Sequence, residues 1–144
     1  MSDDALDIME CMATSDNVIR AGLTPKLRDI PTLISGLTYD VSDPQKHVVQ
    51  PQEFGSSPIS TTTLYDPPVP EFSVVQVELS EGKEDRHEAI QGPSIFVVTE
   101  GSGLISWMQN EIKVTLGDVF FIGSGTETSF MADHRLQLFR AFVQ

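Results

Sequence analysis

Ser94-Ile95-Phe96-Val97-Val98-Thr99-Glu100-Gly101-Ser102-Gly103-Leu104-Ile105-Ser106-Trp107-Met108 is the stretch that decides the fold. Its two halves are rich in β-branched and aromatic side chains, and Glu-Gly-Ser-Gly stands between them. That composition predicts two strands joined by a tight turn, a hairpin. Gln109-Asn110 then turns the chain into Glu111–Leu116, where apolar and polar residues alternate strictly. Gly117-Asp118 leads into Val119–Ile122, and Gly123-Ser124-Gly125 into Thr128–Met131. The last strand is Leu136–Val143, and upstream Phe72–Leu79 alternates over its second half. Short strands at this spacing, with no helical pattern between them, predict a mainly β domain, a sandwich or small barrel.

Toward the N-terminus the pattern changes. Leu64-Tyr65-Asp66-Pro67-Pro68-Val69-Pro70 is stiffened by its prolines and excludes helix. Residues 40–63 are polar, with scattered apolar positions, and read as an extended connector with a mobile middle. Residues 29–37 predict one short helix. Asp29 serves as N-cap, Pro31 stands in the first turn, and Ile30, Leu33, Ile34 and Leu37 share a face. Ile8-Met9 and Val18-Ile19 read as strand pieces flanking the polar turn Thr14–Asn17.

The bulk numbers narrow the function classes. At 144 residues the chain is one domain, or a small domain with an arm. Its formal charge of −12 repels phosphate backbones, so nucleic acid is not an expected partner. No apolar run approaches the roughly 20 residues of a membrane span. Met1-Ser2-Asp3-Asp4 lacks the basic and apolar regions of a signal peptide, which predicts a soluble, cytoplasmic protein. Cys11 is alone, so neither an internal disulfide nor a zinc–thiolate cluster is expected.

The chemistry-bearing candidates are few. Asp16, Arg20 and Lys26 put an acid, a guanidinium and an ammonium within eleven residues, and Arg20, Lys26 and Arg28 are the one local gathering of cations. On spacing alone this is a turn salt bridge, Asp16 to Arg20, with Lys26 exposed. His47 lies in the connector, His87 precedes Glu88, and His134 sits in an Ala-Asp-His-Arg turn. All three read as exposed or loop histidines, and no two metal ligands are expected to share a face at ligand spacing. Trp107 and Phe120-Phe121 read as packing aromatics, and Arg86 and Arg140 as solvated charges at strand ends.

Two resemblances sharpen this. Strand, Glu-Gly-x-Gly, strand, then Gly-Asp-x-x-x-Ile resembles the cupin jelly-roll barrel. Cupins often hold a metal on histidines and a carboxylate, but the later histidine slot here reads Thr126-Glu127-Thr128. Further, Glu10-Cys11-Met12-Ala13, Ser15-Asp16-Asn17, Arg20-Ala21-Gly22 and Thr24-Pro25-Lys26 resemble, in order, a run of the type I mannose-6-phosphate isomerases. Tyr65-Asp66-Pro67-Pro68, Gly92-Pro93-Ser94-Ile95, Val119–Ile122 and Phe139-Arg140-Ala141 resemble later parts of that family.

The resemblance implies an aldose–ketose isomerase interconverting mannose 6-phosphate and fructose 6-phosphate, a step that supplies mannose for GDP-mannose. It implies Arg20 as the catalytic arginine, and Asp16 and Lys26 as substrate-binding residues. The family's single zinc is held largely by an N-terminal cupin, so no zinc is expected on this chain. Residues 1–39 then read as a remnant of the catalytic cupin plus the short helix. Residues 40–63 form the connector, and 64–144 a C-terminal cupin-like β domain without metal. This is the C-terminal part of the enzyme, a truncated product, a partial gene model or a remnant, expected to be inactive without a missing N-terminal region or a partner chain. The alternative is a non-catalytic, metal-free cupin module that stabilises or regulates a partner chain.

Overall fold

In the computed structural model, residues 8–14, 18–20 and 22–143 are described. Eight antiparallel strands form one sheet: β1 (Gln52–Glu53), β2 (Thr62–Tyr65), β3 (Ser73–Ser80), β4 (Glu84–His87), β5 (Ser94–Trp107), β6 (Asn110–Thr115), β7 (Val119–Ile122) and β8 (Thr128–Phe142). The bonded path runs β1-β2-β3-β8-β5-β6, with β4 beside β8 and β7 beside β5, so the sheet does not close on itself. The mainly β reading of the sequence holds. The sheet also takes in Gln52–Glu53 and the first residues of β2, from the stretch that reads as connector.

Alternation places the core. Val75, Val77 and Leu79 of β3 face inward, as do Phe96, Val98 and Ile105 of β5 and Phe130, Leu136 and Leu138 of β8, and they form one buried cluster. Period-two spacing presents the apolar sides of these strands to one interior, with the phase shifted once within β5 between Val98 and Ile105.

Two strands are longer than the sequence suggests. The expected hairpin at Glu100–Gly103 is not there: β5 runs through it, with register shifts against β8 between Val98 and Glu100 and between Gly101 and Gly103. The glycines serve close approach rather than reversal. A β-carbon on Gly101, whose φ is 77°, would stand 1.8 Å from the Arg135 carbonyl oxygen, and one on Gly103 would stand 2.2 Å from that of Met131. The bulge lets β8 lie directly against β5. The Ala132–Arg135 stretch, expected as a turn, is likewise inside β8.

Contacts divide the chain into two compact units, one of residues up to Met12 together with Val49 onward, the other Ala13–Val48. The second unit holds helix α1 (Ile30–Gly36), as the sequence predicts. The Asp29 carboxylate caps it, accepting from the Thr32 amide at 3.1 Å and the Thr32 hydroxyl at 2.7 Å. None of its residues is buried. A single 3₁₀ turn, Pro44–His47, follows, capped by Asp43, with the His47 ring 2.9 Å from the Ser42 hydroxyl.

Candidate functional site

Of the residues singled out by the sequence, Asp16 lies outside the described residues. Arg20 is half-buried and makes no hydrogen bond or ion pair with any described residue. Lys26 is exposed, and its amide donates to the Thr24 hydroxyl at 3.2 Å.

A second constellation, which the sequence reading placed in solvent, is buried inside the sheet. On β4 the exposed and buried positions alternate, so Glu84 and Arg86 face out while Asp85 and His87 face in. Arg140 follows Leu136 and Leu138 along the inward face of β8. His87 and Arg140 are each only 1% exposed, which corrects both the loop reading of His87 and the strand-end reading of Arg140. Arg86 does stand in solvent, where its Nε donates to Glu127 Oε1 at 2.6 Å.

The buried groups form a chain of hydrogen bonds. Asp85 accepts from the Ser57 hydroxyl at 2.7 Å and from the Thr62 hydroxyl. His87 Nε2 lies 3.4 Å from Asp85 Oδ2, and His87 Nδ1 lies 3.3 Å from Arg140 Nη1. A guanidinium only donates, so Nδ1 accepts and the imidazole carries its proton on Nε2, toward Asp85. Arg140 Nε donates to the Ser94 hydroxyl at 3.0 Å, and Nη1 also donates to the Thr128 hydroxyl at 3.4 Å. No fully buried polar side-chain atom among these residues lacks a partner.

Burial holds His87 below its ordinary range, and the nearby Arg140 charge adds to this against the pull of Asp85. Burial alone would raise Asp85, but hydrogen bonds from His87, Thr62 and Ser57 outweigh it and hold the carboxyl low. Burial pushes Arg140 down to about 10, which leaves it charged at neutral pH. The cluster is therefore a buried dipole, with a carboxylate at the Ser57–Thr62 end, a neutral imidazole in the middle and a guanidinium at the Ser94–Thr128 end.

Asp85 and His87 do share a face two residues apart, contrary to the expectation that no two ligand types would. They do not fit a zinc ion. Their lone pairs and protons are already paired with hydroxyls and with Arg140, and a guanidinium beside the imidazole repels a cation. Among the described residues no group of three or more His, Cys, Asp or Glu gathers at ligand spacing.

Next to the Thr128 end lies an apolar cavity of about 430 Å³. Phe96, Ile105 and Ile122 form its buried depth, and Trp107, Phe120 and Phe121 its aromatic walls. Phe96 and Phe120 stack, with ring centroids 5.2 Å apart. Trp107 and Phe120 do pack against the core. Phe121 does not; it is 69% exposed at the rim.

The class follows from these features: an antiparallel, cupin-like β fold whose interior holds a polar cluster and an apolar cavity. The chain's fold is similar to that of a cupin superfamily protein from Desulfitobacterium hafniense DCB-2, with a TM-score of 0.51 at 10% identity over 58% of this chain and 77% of that one. It is similar also to an RmlC-like cupin from Shewanella frigidimarina NCIMB 400, with a TM-score of 0.51 at 17% identity over 70% of this chain and 86% of that one.

Sequence comparison gives the particular relatives. Residues 63–107 match the phosphomannose isomerase type I C-terminal model. The chain is 49% identical over 138 residues to mannose-6-phosphate isomerase of Cryptococcus neoformans, covering 96% of this chain and 32% of that protein. It is 43% identical over 141 residues to the enzyme of the same name from Saccharomyces cerevisiae, covering 96% and 33%. Over nearly its whole length this chain is similar to the C-terminal part of type I phosphomannose isomerases, and it spans about a third of the length of those relatives.

The sequence carries the period of the buried cluster but not the pairing that lets charged side chains occupy an inward face. Asp85-Arg86-His87 has period-two spacing, and Arg140 continues the alternation Leu136, Leu138, Phe142.

Proposed function

We propose that this chain is the C-terminal portion of a mannose-6-phosphate isomerase, interconverting mannose 6-phosphate and fructose 6-phosphate in cytoplasmic mannose supply. The observation that carries this reading is the 49% identity to the Cryptococcus neoformans enzyme over nearly the whole chain. Arg20 is the catalytic residue of the proposal. Proton transfer between C1 and C2 of the sugar builds charge on an enediolate oxygen, and a guanidinium donates two parallel hydrogen bonds to such a centre. Lys26, exposed and cationic, and Asp16 complete the substrate contacts. Residues 64–144 act as a metal-free module, because the ligand-type side chains inside the sheet are engaged by Arg140 and hydroxyls. The zinc used by the family then belongs to residues outside this chain, and the chain alone does not turn substrate over.

The test is made in the Cryptococcus neoformans relative. Changing the arginine that aligns with Arg20 to alanine is expected to lower kcat by about 10²–10³, the loss typical of one charge-stabilising donor. An unchanged kcat would remove Arg20 from the reaction.

The second reading, a non-catalytic cupin module that stabilises or regulates a partner chain, is favoured by the polar cluster and cavity inside the sheet. Neither involves Arg20 or Lys26.

A further inference from the structure

We propose that the cavity bounded by Trp107, Phe121 and Thr128 binds a small apolar monocarboxylate, its body among the aromatic side chains and its carboxylate on the Thr128 hydroxyl. This site is separate from the residues assigned to isomerisation and does not depend on that assignment.

The shape fits a small molecule. At about 430 Å³ the cavity falls in the roughly 300–1,000 Å³ range of ligand pockets, lined by apolar walls with few polar groups, as such pockets are. No charged side chain lines it. Its polar residues are Thr126 and Thr128, with the backbone of Gly123.

Thr128 sets the chemistry. It is 3% exposed and its oxygen accepts from Arg140 Nη1 at 3.4 Å. The hydroxyl hydrogen is thereby left to donate, and it has no acceptor among the described residues. A buried donor of this kind facing an apolar space favours an acceptor brought by a ligand. The guanidinium behind it, at the positive end of the buried dipole, makes an anionic acceptor better than a neutral one. A cation would meet the opposite field at this point, although the chain as a whole carries −12 and attracts cations. Local and global electrostatics thus predict opposite ligands, which makes the proposal decidable.

The chain has one tryptophan, Trp107, and it lines the cavity. The experiment titrates the full chain with 4-phenylbutyrate and with 4-phenylbutylamine, the same body with opposite charge, and reads Trp107 emission. The acid is expected to shift the emission saturably and to bind at least about tenfold more tightly than the amine, which at about 1.4 kcal/mol per tenfold is one charge-assisted hydrogen bond. Thr128→Val is expected to weaken the acid by about fivefold or more. Phe121→Asp, at an exposed rim position that leaves the core untouched, is expected to abolish its binding. The proposal is overturned if no saturable shift appears, if the amine binds as well as the acid, or if Phe121→Asp leaves acid binding unchanged.

Discussion

Replacing Arg140 by methionine tests the buried dipole most sharply. Methionine keeps much of the volume and removes only the guanidinium. The Ser94 and Thr128 hydroxyl oxygens each lose one donor, at 3.0 and 3.4 Å, a smaller loss than that at the imidazole. His87 Nδ1, 3.3 Å from Arg140 Nη1, loses its donor inside a sealed interior, a cost of about 1–3 kcal/mol. Asp85 keeps its hydrogen bonds but loses the cation at the far end of the imidazole. Removing one charge from a buried hydrogen-bonded network costs roughly 3–5 kcal/mol, a range that already includes the loss at His87. Across a unit of this size that corresponds to about 10–20 °C in Tm. The assay is urea and thermal unfolding of the wild type, Arg140→Met, Asp85→Asn and the double variant. The double variant should lose less than the two single losses added, by about 0.5–3 kcal/mol, because neither charge is then left alone. A loss below about 1 kcal/mol in Arg140→Met, with additive losses in the double variant, would show that the buried charges are not coupled.

Gly101→Ala is expected to destabilise by more than about 4 kcal/mol, since left-handed backbone alone costs roughly 1–2 and the new carbon would meet backbone rather than a movable side chain; equilibrium unfolding measures it. Stability is expected to fall on acidification, because burial holds His87 below its unfolded value of 6.5, the unfolded chain binds the extra proton first, and the loss begins as pH drops through that value. Asp85, held low, adds a second loss below its unfolded value of 3.8 as the pH approaches the folded one. Urea midpoints at pH 7, 6 and 5 read the first window, with a slope up to about 1.4 kcal/mol per pH unit that His87→Phe should remove. Arg20→Ala in this chain is expected to change stability by less than about 0.5 kcal/mol, as for a half-exposed side chain with no described partner; chemical denaturation checks it.

Strand positions were legible because β3 and β6 stand within a residue of their alternating stretches, and β7 stands on the apolar run after Gly117-Asp118. Helix α1 was legible from its cap and proline. The continuity of β5 was not. Glu-Gly-Ser-Gly satisfies a turn and a bulge equally, and only β8, paired with it 29 to 37 residues away in sequence, selects the bulge. The interior cluster was hidden for a similar reason. Charged and imidazole side chains belong outside unless a distant partner neutralises them, and the partners here join β4 to β8 across more than 50 residues. Arg20, Asp16 and Lys26 were legible only as a motif, since nothing in their spacing distinguishes a substrate site from a surface turn.

The central proposal is that this chain contributes Arg20 to an isomerase whose metal lies outside it. A coupled assay of mannose 6-phosphate isomerisation tests this, using the pure chain with and without added zinc, and then with the N-terminal two-thirds of the Cryptococcus neoformans relative supplied in trans. No turnover is expected from the chain alone at any zinc level, turnover is expected once the relative's N-terminal part is present, and it should be lost when the chain carries Arg20→Ala. Zinc-dependent turnover by the chain alone, or complemented turnover indifferent to Arg20→Ala, would contradict it.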